Sequence, residues 1–170
     1  MVAVAVAAAT IGAVASPTPA LPAFWLFAVV GVGLTIVDVR CRRLPHRLTG
    51  VLWASSGLFF TVAVLTGSDV GQLIRAASAG IGTATVMLAV ALALPGQLGL
   101  GDVVFAGAVA FNLGWLGWQT AVLGVVAGLL LQGAIVLVVK IRRTTNAIDT
   151  PTPMGPALAA GWFLAVVLAA

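Results

Sequence analysis

Two aspartates lie at the ends of apolar segments, where an unpaired charged side chain is energetically unfavourable. The chain contains four acidic residues and no glutamate. Asp38 closes one apolar segment, and Asp102 opens another within LGLGDVVFAG (98–107). Paired carboxylates can hydrolyse a peptide bond, because the ionised one takes a proton from water while the protonated one polarises the scissile carbonyl. Asp38 and Asp102 are therefore candidate catalytic residues, provided that the fold brings them together.

The composition indicates a membrane protein. Of 170 residues, 62% are hydrophobic and 7% are charged, and the mean hydropathy is +1.21. A soluble domain carries about 25% charged residues to wet its surface, so lipid must be the main solvent of this chain. Long apolar runs rich in Leu, Ala, Val and Gly fit helices better than barrel strands of alternating polarity. The predicted fold class is all-α, a polytopic membrane helix bundle.

Proline, glycine and charge clusters divide the chain into apolar segments. Six of them form the predicted core of transmembrane helices: 21–37, 48–66, 76–94, 103–117, 119–139 and 156–170. Residues 1–15 predict an extra N-terminal helix. The alternative is a cleaved signal peptide, because AVA-S at 13–16 resembles a signal-peptidase site, but no basic region precedes it. The predicted organisation is an extra helix and loop over 1–20 and one membrane-embedded domain over 21–170.

The basic residues agree with one orientation in the membrane. If the arginines of 40–47 are cytoplasmic, alternating crossings return the cluster at 140–143 to the same side. Seven of the eight basic residues are then cytoplasmic and only Arg75 lies outside, as the positive-inside rule expects. The same alternation puts Asp38 and Asp102 at one cytoplasmic boundary. Basic clusters beside apolar spans are typical of loops held by anionic lipid, so no nucleic-acid partner is expected.

Asp102 is predicted to lie below the inner membrane surface. The segment that follows it would be about 22 Å long as a helix, whereas the hydrocarbon core is about 30 Å thick. Three tryptophans fall at the predicted outer interface: Trp25, Trp115 and Trp118. Gly99 and Gly101 have no side chains, so backbone or an extended substrate can approach Asp102 closely. These two glycines are the predicted substrate-approach loop.

The helix positions of the two aspartates predict a division of labour. Asp102 at a helix N-terminus is favoured as the anion, and Asp38 at a helix C-terminus is favoured as the proton carrier. The arginines that follow Asp38 act in the opposite sense, and a coupled pair titrates as a unit. A simpler interpretation stays open, in which Asp102 is an N-cap and Asp38 is an anchor paired with neighbouring arginines.

Both aspartate segments resemble motifs of a known family. VDVRCRRLPHRLT (37–49) and GLGDVVFAGAVAFNLGW (99–115) are similar to the two catalytic motifs of the small form of the type IV prepilin peptidases, membrane aspartic peptidases of the GxGD class. PTPMGPALAAGWFLA (151–165) resembles the family's Pro-x-Gly-Pro entry to its last helix. The resemblance covers residues 21–170 in order and spacing, and the two aspartate motifs together are specific.

The resemblance implies an activity and a location. Asp38 matches the first catalytic aspartate, Asp102 the second, and Gly99 and Gly101 the glycines of the second motif. Family members cut the short basic leader from prepilin or pseudopilin precursors at the cytoplasmic face of the plasma membrane. The large members also methylate the new N-terminus with a cysteine-bearing domain, which this chain lacks. The expectation is an aspartic endopeptidase that cleaves without methylation and without a cofactor.

Two departures from the family pattern keep a second function open. Val104 stands where the family usually has lysine, and His46 stands where it commonly has asparagine. The alternative is a non-catalytic membrane subunit of a pilus or secretion system, or a small ion-coupled carrier. In these proteins the two aspartates would be an anchor and a cap, or a proton-binding pair.

The remaining polar and small residues predict structural roles. The single cysteine, Cys41, excludes an internal disulfide and a cysteine-based zinc site, and a lone His46 builds no metal site. Asn112 lies inside a span and predicts an interhelical hydrogen bond. Four glycines are predicted to permit close helix packing: Gly80, Gly82, Gly124 and Gly128.

Overall fold

The computed structural model describes residues 19–41, 46–94, 98–142 and 153–169. These residues form six α-helices: α1 Leu21–Cys41, α2 His46–Leu65, α3 Val70–Ala93, α4 Leu100–Leu116, α5 Trp118–Arg142 and α6 Gly155–Leu168. The predicted all-α class is confirmed for this part of the chain. The extra helix predicted over 1–15 lies outside the described residues.

Four of these helices, α1, α2, α3 and α5, are long and apolar enough to cross a membrane. The prediction of a helical membrane protein is therefore supported. α4 and α6 are shorter, with 17 and 14 residues. α3 begins at Val70, six residues before the predicted start, because the Asp69 carboxylate caps it by accepting the Gly71 N–H at 3.0 Å.

The short helix α4 is the centre of the bundle. Every residue from Val103 to Trp115 is buried except Val104, which is half-buried, and all five other helices contact α4. A helix that is apolar all round and enclosed by protein has no single lipid-facing stripe. α4 is therefore enclosed by the other described helices, which shield its apolar side chains.

Close helix contacts depend on glycines. A Cβ atom on Gly80 of α3 would lie 2.7 Å from the Cβ of Phe111, and one on Gly128 of α5 would lie 3.0 Å from the Cα of Leu158. Gly124 packs likewise against Leu113, so the packing role predicted for these three glycines is confirmed. The same prediction is wrong for Gly82, since nothing lies within 4 Å of the position that a Cβ atom would take there.

The C-terminal end of α4 is capped by an arginine from another helix. The Arg75 guanidinium donates to the carbonyl oxygens of Gly114 and Trp115, at 2.8 and 2.7 Å. These carbonyls have no partner within α4, and a cation is favourable at a helix C-terminus. This contact accounts for the one basic residue that the topology prediction places on the outer side. We call this side of the bundle the arginine end.

The three tryptophans predicted at the outer interface differ in exposure. Trp25 and Trp118 are exposed, but Trp115 is buried and stacks on Phe60 with ring centroids 4.4 Å apart. Trp115 is therefore a core residue, because it lies on the enclosed helix. Asn112 is also buried, and its side-chain oxygen accepts the Trp162 indole N–H at 2.8 Å. This bond joins α4 to α6 and confirms the interhelical role predicted for Asn112.

Candidate functional site

Asp38 lies in the last turn of α1 and is buried, with 4% of its surface exposed. Its Oδ2 atom accepts a hydrogen bond from the backbone N–H of Gly155 at 2.8 Å. Gly155 is the first residue of α6 and is 117 residues away in the chain. The carboxylate is therefore held by a helix N-terminus that tertiary packing brings to it.

The start of α6 has few other means of holding this carboxylate. Met154 is its N-cap and makes no side-chain capping bond. Pro156 follows Gly155 and has no N–H, so Gly155 carries the first free donor of the helix. A Cβ atom on Gly155 would lie 2.8 Å from Oδ2 of Asp38. Because real Cβ atoms do not approach an oxygen so closely, the contact in this form requires glycine.

Asp102 is the third residue of α4, and its side chain is half-buried. The N-cap is Gly99, whose backbone is extended at φ −77° and ψ 144°. The Gly99 N–H donates to the Asp102 carboxylate, which is the arrangement of the acidic partner in a capping box. A Cβ atom on Gly99 would lie 3.2 Å from Oδ2 of Asp102.

The two carboxylates lie at the same end of the bundle, opposite the arginine end. They are near enough for the charge of Asp38 to act on Asp102. We call this the aspartate end. Like charges at short range in a desolvated site are relieved when the pair holds one proton between them. The arrangement can therefore present one acidic and one basic carboxyl group to a bound water and a polar substrate.

The structure changes the argument that made Asp102 the anion and Asp38 the proton carrier. It relied on Asp38 facing a helix C-terminus, whereas the Asp38 carboxylate also faces the N-terminus of α6. Asp38 thus lies between the negative end of the α1 dipole and the positive end of the α6 dipole, so the α1 dipole alone does not assign it the proton.

α4 is shorter than α5, which packs against it. Gly117 alone separates the end of α4 from the start of α5, and Gly124 of α5 packs against Leu113 of α4. α5 has 25 residues and α4 has 17, so α5 is about 12 Å longer than α4. The last turns of α5 carry exposed apolar side chains, including Leu137 and Ile141. These side chains suit lipid, in keeping with a position of Asp102 below the membrane surface.

The other predicted residues are placed in part. Gly101 is half-buried in the first turn of α4. Val104 is half-buried, and its carbonyl accepts the Trp53 indole N–H at 3.0 Å. Arg40 is exposed. Five polar side chains of the basic segment fall outside the described residues: Cys41, Arg42, Arg43, His46 and Arg47. Within the ranges that the structure describes, no group of three His, Cys, Asp or Glu residues could hold a metal ion.

Gly155 is the site residue that sequence reasoning missed. The dipeptide Gly155–Pro156 marks a helix start, because proline is favoured in a first helical turn. That pattern locates the free N–H groups of α6. It does not reveal that their acceptor is Asp38, since only the packing of α1 against α6 brings the two together.

Comparison with known proteins assigns no family to the chain. Neither a protein-family model, nor a curated protein, nor a solved structure matches it. A function must therefore be inferred from the residues and the geometry of the aspartate end.

Proposed function

We propose that this protein is a membrane aspartic endopeptidase that removes the short basic leader from prepilin-like precursors. The observation that carries the proposal is that two carboxylates lie at one end of the bundle, near enough for the charge of Asp38 to act on Asp102. Aspartic peptidases need two such groups and a water, with no metal and no other cofactor. The resemblance of both aspartate segments to the prepilin peptidase motifs supports this substrate class.

The chemistry follows from a shared proton. The ionised carboxylate takes a proton from water, and the water oxygen attacks the carbonyl carbon of the scissile peptide bond. The protonated carboxyl donates its proton to the carbonyl oxygen, so that a tetrahedral intermediate forms. When the intermediate collapses, one of its hydroxyl groups returns a proton to the ionised carboxylate, the C–N bond breaks, and the leaving nitrogen receives a proton from the other carboxyl. The two aspartates end the cycle with one proton between them, as they began.

The proposal includes a topology. All six described helices cross the plasma membrane, with α4 and α6 shorter than the others. The aspartate end faces the cytoplasm, in agreement with the distribution of basic residues. An extended leader reaches Asp102 over Gly99 and Gly101, which present no side chains. Val104 leaves the pair without the nearby lysine of the resembling family.

Leader cleavage in membranes tests the proposal. The probe is a co-expressed type IV prepilin, and its shortening is read on a gel with wild type, Asp38→Asn and Asp102→Asn at matched abundance. Asp69→Asn is the matched control, because Asp69 caps α3 through the Gly71 N–H and asparagine is an equally good N-cap. We expect cleavage by wild type and Asp69→Asn and a loss of at least about a thousandfold in the other two.

Two outcomes would reject the proposal. Cleavage that persists in either Asp38→Asn or Asp102→Asn would exclude the two-aspartate mechanism. A wild-type protein that leaves the prepilin uncut would exclude a prepilin peptidase.

The capping contacts favour a second candidate. Asp38 binds the start of α6 and Asp102 binds the start of α4, which is what a non-catalytic membrane protein would need from them. Asparagine accepts the same backbone N–H bonds, so this candidate expects both Asn variants to keep full function. The cleavage experiment separates the two candidates at the wild type, because a non-catalytic protein leaves the prepilin uncut and the peptidase shortens it.

A further inference from the structure

We infer that Gly155 is a positioning residue of the aspartate pair, and this inference rests on the proposed function. Its backbone N–H holds the Asp38 carboxylate, and its lack of a side chain leaves room for that carboxylate. Gly155 is not expected to contact the substrate. It acts through Asp38, by fixing where one half of the pair stands relative to the other.

Among the described residues, the donor that holds the Asp38 carboxylate comes from outside α1. Asp38 lies in the last turn of its own helix, where the free backbone groups are carbonyls and offer it no hydrogen bond. The side chain is buried, so water is largely excluded as a donor. The N–H of Gly155 is this donor, at 2.8 Å. A carboxylate with one oxygen so held cannot turn freely about its Cβ–Cγ bond.

The same contact couples the start of α6 to the catalytic geometry. Proteins lose roughly a hundredfold in rate when a reacting group moves by about 1 Å. A methyl group on Gly155 would lie 2.8 Å from Oδ2, so the carboxylate or the first turn of α6 must move by a distance of that order. Substrate binding away from the pair would be unaffected.

Two other glycines provide matched controls for an alanine substitution. Gly128 lies on α5 and faces the first turn of α6, and a Cβ atom there would lie 3.0 Å from the Cα of Leu158. Its substitution disturbs the packing of α6 without touching Asp38. Gly82 has open space around it, so its substitution disturbs neither.

Steady-state cleavage of the prepilin probe by purified full-length variants tests the inference. We expect Gly155→Ala to lower kcat by about tenfold to a hundredfold, with KM changed by less than about twofold. Gly128→Ala is expected to lose thermal stability and to retain kcat per folded molecule. Gly82→Ala is expected to retain both. Wild-type kcat in Gly155→Ala would overturn the inference, as would an equal loss of kcat in Gly128→Ala.

A measurement without substrate guards against a folding defect. Thermal unfolding in detergent is compared for Gly155→Ala alone and in an Asp38→Ala background, where the methyl group no longer meets a carboxylate. We expect Gly155→Ala to lower Tm by roughly 5 °C in the wild-type background and by much less in the second. Equal decreases in Tm in both backgrounds would show that Gly155 acts independently of Asp38. That result would overturn this inference and leave the proposed function standing.

The two experiments also separate this inference from the proposed function. If wild type does not cut the prepilin, the proposed function fails and the positioning role fails with it, even when the unfolding cycle shows coupling. If wild type cuts and the cycle shows no coupling, the peptidase stands and the positioning role is rejected.

Discussion

The two halves of the aspartate end are built alike and assembled differently. In each, a carboxylate accepts the backbone N–H of a glycine at a helix N-terminus, and a Cβ atom on that glycine would crowd the carboxylate. Gly99 and Asp102 are three residues apart on one helix start. Gly155 and Asp38 are 117 residues apart and belong to different helices. The first contact forms whenever α4 forms, whereas the second requires α1 and α6 to be packed.

Because of this difference, we expect the two aspartates to differ in how much stability is lost when their hydrogen bonds are broken. Asp102 is half-buried and Asp38 has 4% of its surface exposed. A half-buried carboxylate that loses its donor can turn toward solvent, but a buried one leaves an unpaired group behind. The remote contact should therefore be the more costly one to break, for stability as well as for catalysis.

Removal of the Asp38 side chain is expected to have the largest effect on stability. Asp38→Ala deletes a charge-assisted bond and leaves the buried Gly155 N–H without an acceptor, at a cost of about 3 kcal/mol. Asp38→Asn retains an acceptor of the same size, so its cost is expected to be near 1 kcal/mol. Chemical or thermal unfolding in detergent measures both. Equal losses in the two variants would show that the bond to Gly155 contributes little.

Asp102→Ala measures the stability that the local contact contributes, for comparison with Asp38→Ala. Its contact is local and partly solvated, so we expect a loss of about 1 kcal/mol, measured by the same unfolding experiment. A larger loss than that of Asp38→Ala would reverse the order of the two contacts.

The same distinction explains how far sequence reasoning reaches in this protein. The apolar segments predict α2 within two residues at its start, because a run of lipid-compatible residues has few other solutions in a membrane. The contact between Gly99 and Asp102 can also be predicted from the sequence, because a capping box is confined to four consecutive residues. Gly155 is recognisable as a helix start and not as a partner of Asp38. The interface position predicted for Trp115 stays a prediction, whereas the burial of its side chain is not readable from the sequence because it depends on which helices enclose α4.

A second contact between residues far apart in the sequence lies at the arginine end. It tests whether sequence separation alone determines how much stability is lost when such a contact is removed. Arg75 binds the carbonyls of Gly114 and Trp115 from another helix, and its side chain is half-buried. Arg75→Met keeps much of the apolar stem and removes the charge, so we expect a loss of about 2 kcal/mol. Cleavage per folded molecule should be unchanged, because the substitution lies at the opposite end of α4 from Asp102. A loss of kcat without a loss of stability would contradict the separation of the two ends.

Gly99→Ala is expected to have the smallest effect on stability and on kcat, whereas crowding of the leader at this loop would raise KM, and the variant bears most directly on the comparison. The backbone of Gly99, at φ −77° and ψ 144°, is accessible to alanine, and the added Cβ atom would lie 3.2 Å from Oδ2 of Asp102. Because Asp102 is half-buried, its carboxylate can yield by a few tenths of an ångström. We expect a stability loss of about 0.5 kcal/mol and a fall in kcat of no more than about threefold. Parallel unfolding and cleavage measurements on Gly155→Ala provide the reference. If Gly99→Ala lowers kcat as much as Gly155→Ala does, both carboxylates are held with equal rigidity, and the remote contact has no special role in positioning the pair.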